Sequence, residues 1–283
     1  MSSIITNSSA MVALSTLNMV NKNLNDTQTR VSTGLAIGSG KDNAAYFAIS
    51  ETMKSDSGMF QAINQGLTST KNAVATARLG AETVQDLTKD FAERVAFAQG
   101  YGIDLGEVQS ELDALVDQIG AAISQATFNG EDLVSGPAAT QTVVTGVTRS
   151  GGTFAATTIT FQSVDLGAIQ TALAAIDLEN FNTNTTDNIP DDLGQALQFA
   201  EAALGDAISA ATSLGVTEKT LEGQQTFLDN LTDTLDSGVS AMVDANMEEE
   251  AARLQAFQVQ QQLATQSLSI ANQAPQNILS LFQ

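Results

Sequence analysis

The stretch ISETMKSDSGMFQAINQGLTSTKNAVATARLGAETVQDLTKDFAERVAFA, from Ile49 to Ala98, decides the fold. Steps of three and four residues in alternation link Ile49, Met53, Asp56, Phe60, Ile63, Leu67, Thr70, Val74, Ala77, Ala81, Val84, Thr88, Phe91, Val95 and Ala98, and twelve of these fifteen positions are apolar. That period marks helices that pack along a seam. At 1.5 Å per residue, a helix over this segment extends roughly 75 Å, too long for a small globular core and suited to a rod. Gly100 and Gly102 end it.

Downstream, Leu105, Val108, Leu112, Leu115, Ile119, Ala122 and Ala126 share one face of a shorter helix, with Asn129-Gly130 as its stop signal. The period returns in Leu193, Leu197, Ala200, Leu204, Ala207, Ala211 and Leu214, then in Leu221, Leu228, Leu231 and Leu235. Three such segments predict an elongated antiparallel bundle. Between them, TQTVVTGV from Thr140 and TFAATTITF from Thr153 flank Arg149-Ser150-Gly151-Gly152 and read as a β-hairpin. A short amphipathic stretch (Leu166, Ile169, Leu173, Ile176) and the polar loop NTNTTDN from Asn182 complete a small, exposed insert. The fold class is therefore mainly α, an elongated antiparallel helical bundle or coiled coil formed by both chain ends, with a small hairpin-containing central insert.

The extreme ends carry the same pattern. Near the N-terminus the seam runs Ala10, Leu14, Leu17, Asn21, Leu24, Gln28, Val31, Leu35, with Asn21 and Gln28 where polar residues often fix register. An ordinary amphipathic helix docked on its own domain remains an alternative here. The last helix has two seams: Leu254, Phe257, Gln261, Ala264, Leu268, Ala271 on one side, and Ala256, Val259, Leu263, Ile270, Ala274 on another. Apolar stripes on two sides need partners on two sides. One partner is the N-terminal helix, and neighbouring copies most simply supply the other. The candidate assembly residues are therefore Leu14, Leu17, Leu24, Val31, Leu254, Phe257, Val259, Leu263, Leu268 and Ile270.

Composition excludes most chemistry. Without cysteine, histidine or tryptophan, the chain has no disulfide, no thiolate or imidazole metal ligand and no nucleophile–histidine pair. No phosphate loop, paired acid and base, or cofactor fingerprint is present, so neither an enzyme nor a cofactor is expected. Glu248, Glu249 and Glu250 form the one dense acidic run and sit where a helix N-terminus favours negative charge, which explains them better than a metal does. Asn7, Asn25, Asn184 and Asn230 satisfy the short Asn-x-Ser/Thr pattern and receive no role. Residues 1 to 94 balance eight basic against eight acidic side chains, so the net charge of −21 accrues in the remainder. Such a surface repels nucleic acid and anionic membranes, and self-repulsion should oppose assembly at low ionic strength. No apolar run is long enough to span a bilayer, and the N-terminus lacks the basic and apolar regions of a secretory signal peptide.

At Arg30 the sequence RVSTGLAIGSGKDNAA resembles RLSSGLRINSAKDDAAG, a signature of bacterial flagellins. The FNG at Phe128 and the ending NQAPQNILSLFQ from Asn272 resemble two further signatures of that family, in the same order. The resemblance covers roughly residues 1–134 and 190–283. Asn43 and Tyr46 depart from it, standing where the usual motif has a second acid and often a glycine. By resemblance, residues 1–42 and 244–283 are inner-tube terminal helices, 43–135 and 188–243 a helical rod domain, and 136–187 a short variable surface insert. Gly34, Gly38 and Gly40 become the joint between tube and rod, since glycine accepts positive φ. The resemblance also implies a structural filament subunit that polymerises with itself for motility and is secreted to the extracellular flagellum. Its implied partners are the flagellar type III export machinery, a C-terminal export chaperone, the filament cap and hook-associated proteins, without nucleic acid or membrane insertion. A hook-filament junction protein is the nearest alternative, and an unrelated cytoplasmic helical scaffold explains the seams but not the three motifs.

Overall fold

The computed structural model describes residues 7–150, 153–178 and 192–279. Helix α1 (Ser8–Thr33) is followed by the 55-residue α2 (Ala44–Ala98) and by α3 (Leu105–Gln125). Two short strands, β1 (Thr127–Phe128) and β2 (Glu131–Asp132), precede a longer antiparallel pair, β3 (Thr140–Ser150) and β4 (Thr153–Gln162). Helix α4 (Leu166–Ala174), the 51-residue α5 (Leu193–Val243) and α6 (Met247–Leu279) complete the order. The loop from Asn182, with Asn184, and the last four residues of the C-terminal signature lie outside the described residues. So does the Gly151-Gly152 turn.

The chain divides into two compact units. One joins residues up to Ser57 with those from Asp233 onward, and the other is Gly58–Thr232. The second unit holds the large core, in which Leu67, Val74, Phe91, Leu112, Ile119, Leu214, Leu221 and Leu228 are fully buried. The seam read along α2 holds from Phe60 and Ile63, half-buried against the core, through Leu67 to Ala98, whereas Ile49 is half exposed and the buried positions near it are Ser50 and Ser57. Helices α2 and α5 run antiparallel in this unit. Gln225 Nε2 donates to Thr68 Oγ1 at 2.7 Å, and Arg78 donates to Glu218 on α5 (2.7 Å) and to Glu82 on its own helix (2.5 Å). The carboxylates of Glu218 and Glu82 hold the Arg78 guanidinium above its ordinary pKa.

The insert is fastened to the helices at several points. Leu166, Ile169, Leu173 and Ile176, together with Leu178, enter the core. Gln109 on α3 accepts from Leu178 N–H at 2.9 Å and donates to the Ile176 carbonyl at 3.3 Å. The β3–β4 register slips between Val144 and Gly146, and Thr145 is the extra residue of this bulge. Its carbonyl accepts from Gln224 on α5 at 3.0 Å. Asn129 and Gly130 both have positive φ, +51° and +82°, and close the β1–β2 hairpin as a tight primed turn. The helix itself stops earlier, at Gln125.

Gly80 lets α2 approach the end of α3 closely, because a Cβ at this position would collide with the Cβ of Ala126. Overpacking of this kind costs about 1–3 kcal/mol, while alanine regains about 0.5–1 kcal/mol over a mid-helix glycine. Gly80→Ala should therefore lower stability by about 1–2 kcal/mol in urea melts, and Ala126→Gly in the same chain should recover most of it. A Gly80→Ala variant more stable than the parent would refute the close approach.

Candidate functional site

Helices α1 and α6 pack side by side in the first unit. Each has a local reason for its start. Asn7 caps α1 by accepting from Ala10 N–H at 3.1 Å, and Asn246 caps α6 by accepting from the N–H groups of Glu248 and Glu249. Glu248 and Glu249 then point to solvent in the first turn of α6, where the helix dipole favours them. Among the described residues no group of acidic side chains could hold a metal ion. Glu250 instead turns inward and is buried, its Oε1 3.4 Å from both Arg30 and Arg253.

The face of α6 that meets α1 is Leu254, Phe257, Gln261, Ala264, Leu268 and Ala271, all buried or half-buried. This is one of the two seams read from sequence. On the α1 side Leu17 and Val31 are half-buried and Leu24 is buried, but the stripe turns by one position relative to the sequence reading. It uses Ala13, Val20 and Thr27 where Leu14, Asn21 and Gln28 were expected. Small and β-branched residues let two thin helices approach closely. Asn21 keeps a register role from the edge of the seam, accepting from Gln261 Nε2 at 2.7 Å, and Asn7 Nδ2 donates to the Ala271 carbonyl at 2.7 Å. Gln28 is exposed.

Once α1 and α6 have paired, a second apolar surface is left in water. Val259, Leu263 and Ile270 on α6 are 56%, 63% and 64% exposed, and Leu14 on α1 is 48% exposed. Sequence reading missed three further members of this surface, Met11, Val12 and Met19, because it followed only one stripe of α1. Val12 and Leu263 line one open groove of about 390 Å³ whose walls also include Ala13, Val20 and Ala264.

The segment after α1 is tied to the segment between α5 and α6. Gly34 adopts φ +74° and its N–H closes α1 on the Arg30 carbonyl at 2.8 Å, a left-handed cap that favours glycine. Leu35 bridges to Asp244, Ala36 and Ile37 both donate to the Val243 carbonyl, and Ala245 donates to Gly34. Gly38 and Gly40 do not use positive φ, so of the three glycines only Gly34 needs the freedom expected of all of them. Asp42 organises the turn around Gly38, accepting from the Gly38 and Ser39 N–H groups and the Ser39 hydroxyl at 3.0–3.1 Å. The Ser39 hydroxyl, then the two N–H groups, hold its carboxyl below the ordinary value. Those bonds are fully present above the ordinary pKa and are lost as pH falls through the lowered one. Asn43, the departure noted in the motif, caps α2 by accepting from Ala45 and Tyr46 N–H.

The bacterial flagellin N-terminal helical region matches residues 4–139, and the bacterial flagellin C-terminal helical region matches residues 197–282. The chain belongs to the bacterial flagellin family. It is 39% identical to a flagellin of Brucella melitensis biotype 1, with all of both chains covered. It is also 31% identical to flagellin C of Rhizobium meliloti over the whole of both chains, and 33% identical to flagellin FljM of Caulobacter vibrioides over all of this chain and 99% of that one. Flagellins are structural proteins that polymerise with themselves, and this flagellin is a structural subunit of the extracellular flagellar filament. These matches favour neither a hook-filament junction protein nor an unrelated scaffold. No helix among the described residues is long and apolar enough to cross a membrane.

Proposed function

We propose that this flagellin polymerises through the outer surface of its α1–α6 pair, which a second copy covers, and that the pair forms the wall of the inner tube. The observation that carries the reading is the exposed stripe Val259, Leu263, Ile270, beside Met11, Val12 and Met19, on a helix pair whose other apolar face is already filled. Covering what remains exposed of Val259 and Leu263 contributes roughly 1–2 kcal/mol each, repeated at every subunit. In this scheme residues 1–42 and 244–283 are the inner-tube helices, 43–135 and 188–243 the rod domain, and 136–187 the outward insert, with the turn at Gly34, Gly38 and Gly40 as the joint. Leu17, Leu24, Val31, Leu254, Phe257 and Leu268 contribute by building the pair, and Leu14, Val259, Leu263 and Ile270, which stay exposed in the pair, by joining copies. The subunit itself carries no catalytic activity. Family resemblance supports delivery by the flagellar type III export machinery, a C-terminal chaperone in transit, and insertion beneath a cap on a filament begun by hook-associated proteins.

The absence of cysteine allows a direct test, because one introduced thiol is the only thiol present. Leu263→Cys and Val259→Cys should react quickly with a maleimide in the monomer and become protected at least tenfold in filaments, whereas Tyr101→Cys serves as a control on the other unit. Equal reactivity of Leu263→Cys in monomer and filament would show that no copy covers this stripe.

A further inference from the structure

We propose that Met11 and Met19 form an oxidation-sensitive modification site, at which peroxide converts both thioethers to sulfoxides and arrests filament growth. The inference rests on the assembly surface proposed above and extends it to a chemistry that surface exposes. Met11 and Met19 are 66% and 60% exposed, more than Met247 at 44%, while Met53, Met59 and Met242 are half-buried. The chain has no cysteine and no tryptophan, so no thiol or indole intercepts an oxidant before methionine does. Val12 and Met19 are seven residues apart, two helical turns, and Met11 lies beside that line on the side of α1 turned away from α6.

The step balances without help from the protein. A sulfur lone pair attacks one peroxide oxygen, the O–O bond breaks as the S–O bond forms, and the other oxygen leaves as water after taking up a proton. Sulfur is oxidised by two electrons and the peroxide reduced by two. The product keeps its length and charge, but it replaces a soft apolar atom with a strong dipole. In the monomer that dipole is solvated and costs nothing. Against the apolar surface of a neighbouring copy, with no donor placed to meet it, the same dipole must be desolvated.

The test is limited hydrogen peroxide treatment of the monomer, with peptide mass spectrometry and seeded growth. Met11 and Met19 should be oxidised before Met53, Met59 and Met242, and the critical concentration should rise on the order of tenfold or more. Met11→Leu with Met19→Leu keeps volume and apolarity and should grow normally both before and after the same dose. Each single variant should give part of the protection, and circular dichroism of the monomers guards against a folding defect. Methionine sulfoxide reductases for both epimers, supplied with a dithiol, should restore growth of the oxidised parent. If the double leucine variant loses growth to peroxide as readily as the parent, or if parent protein carrying both sulfoxides grows normally, the proposal is overturned. Maleimide protection at Leu263→Cys separates the two readings. A protected thiol together with peroxide-insensitive growth removes only the oxidation site, whereas an unprotected thiol removes the assembly surface beneath it.

Discussion

Leu263→Asp should abolish seeded filament growth while leaving the thermal unfolding of the Gly58–Thr232 unit unchanged, and Phe91→Asp should instead destabilise the monomer. The two leucine and phenylalanine positions carry similar apolar weight, but their surroundings differ. Leu263 is 63% exposed on the outer stripe of α6, so in the monomer a carboxylate there stays in water. In a polymer covered at that stripe, the same carboxylate is buried with no basic partner beside it in the groove formed with Val12 and Ser267. Phe91 is completely buried in the core of the other unit. Removing its ring alone costs about 3–5 kcal/mol, and burying a charge adds to that. Calorimetry of each monomer followed by light scattering of seeded growth reads both effects. If Leu263→Asp lowered the monomer melting temperature as much as Phe91→Asp does, the stripe would belong to an ordinary folded core.

The second large effect is expected at Arg30. Glu250 is buried between Arg30 and Arg253, and its Oε2 is buried without a hydrogen-bond partner. Breaking a buried pair leaves an uncompensated charge and typically costs 3–5 kcal/mol. Arg30 is more than a third exposed and Arg253 remains, so solvent screening reduces the figure, and Arg30→Ala should cost about 2 kcal/mol in the α1–α6 unit. Arg30→Met combined with Glu250→Leu should recover that loss, since an apolar pair of similar volume needs no counter-charge. Hydrogen exchange along α1 and α6 measures it. An Arg30→Ala chain as protected as the parent would mean that Arg253 alone satisfies Glu250.

The helices were legible in the sequence because the period of alternating three and four residues runs far beyond what chance supplies, and Phe91, Leu112 and Leu221 lie buried on the seams they define. The two-sided character of α6 was legible for the same reason. What the period could not fix was the angle at which α1 meets α6. Large residues such as Leu14 draw the eye to one stripe, yet close helix contact selected Ala13, Val20 and Thr27. The Asn129-Gly130 pair reads as a helix stop from sequence, but adjacent Asn and Gly are the stronger sign of a tight hairpin, and both adopt positive φ. Asn43 departs from the motif, yet its side chain caps α2, a task asparagine performs as well as aspartate. The inward turn of Glu250 had no sequence signal, because its partner Arg30 lies 220 residues earlier.

The contact between Asn7 and Ala271 joins residues 264 positions apart, and the Asn21–Gln261 bond joins residues 240 apart. Helix α1 is therefore synthesised long before its partner α6. Until α6 is made, α1 lacks the helix it pairs with, and contacts of such long sequence separation are also the slowest to form. A truncated product cannot present the paired surface at all. The paired face thus depends on both helices at once, so its formation has to wait for the synthesis of α6.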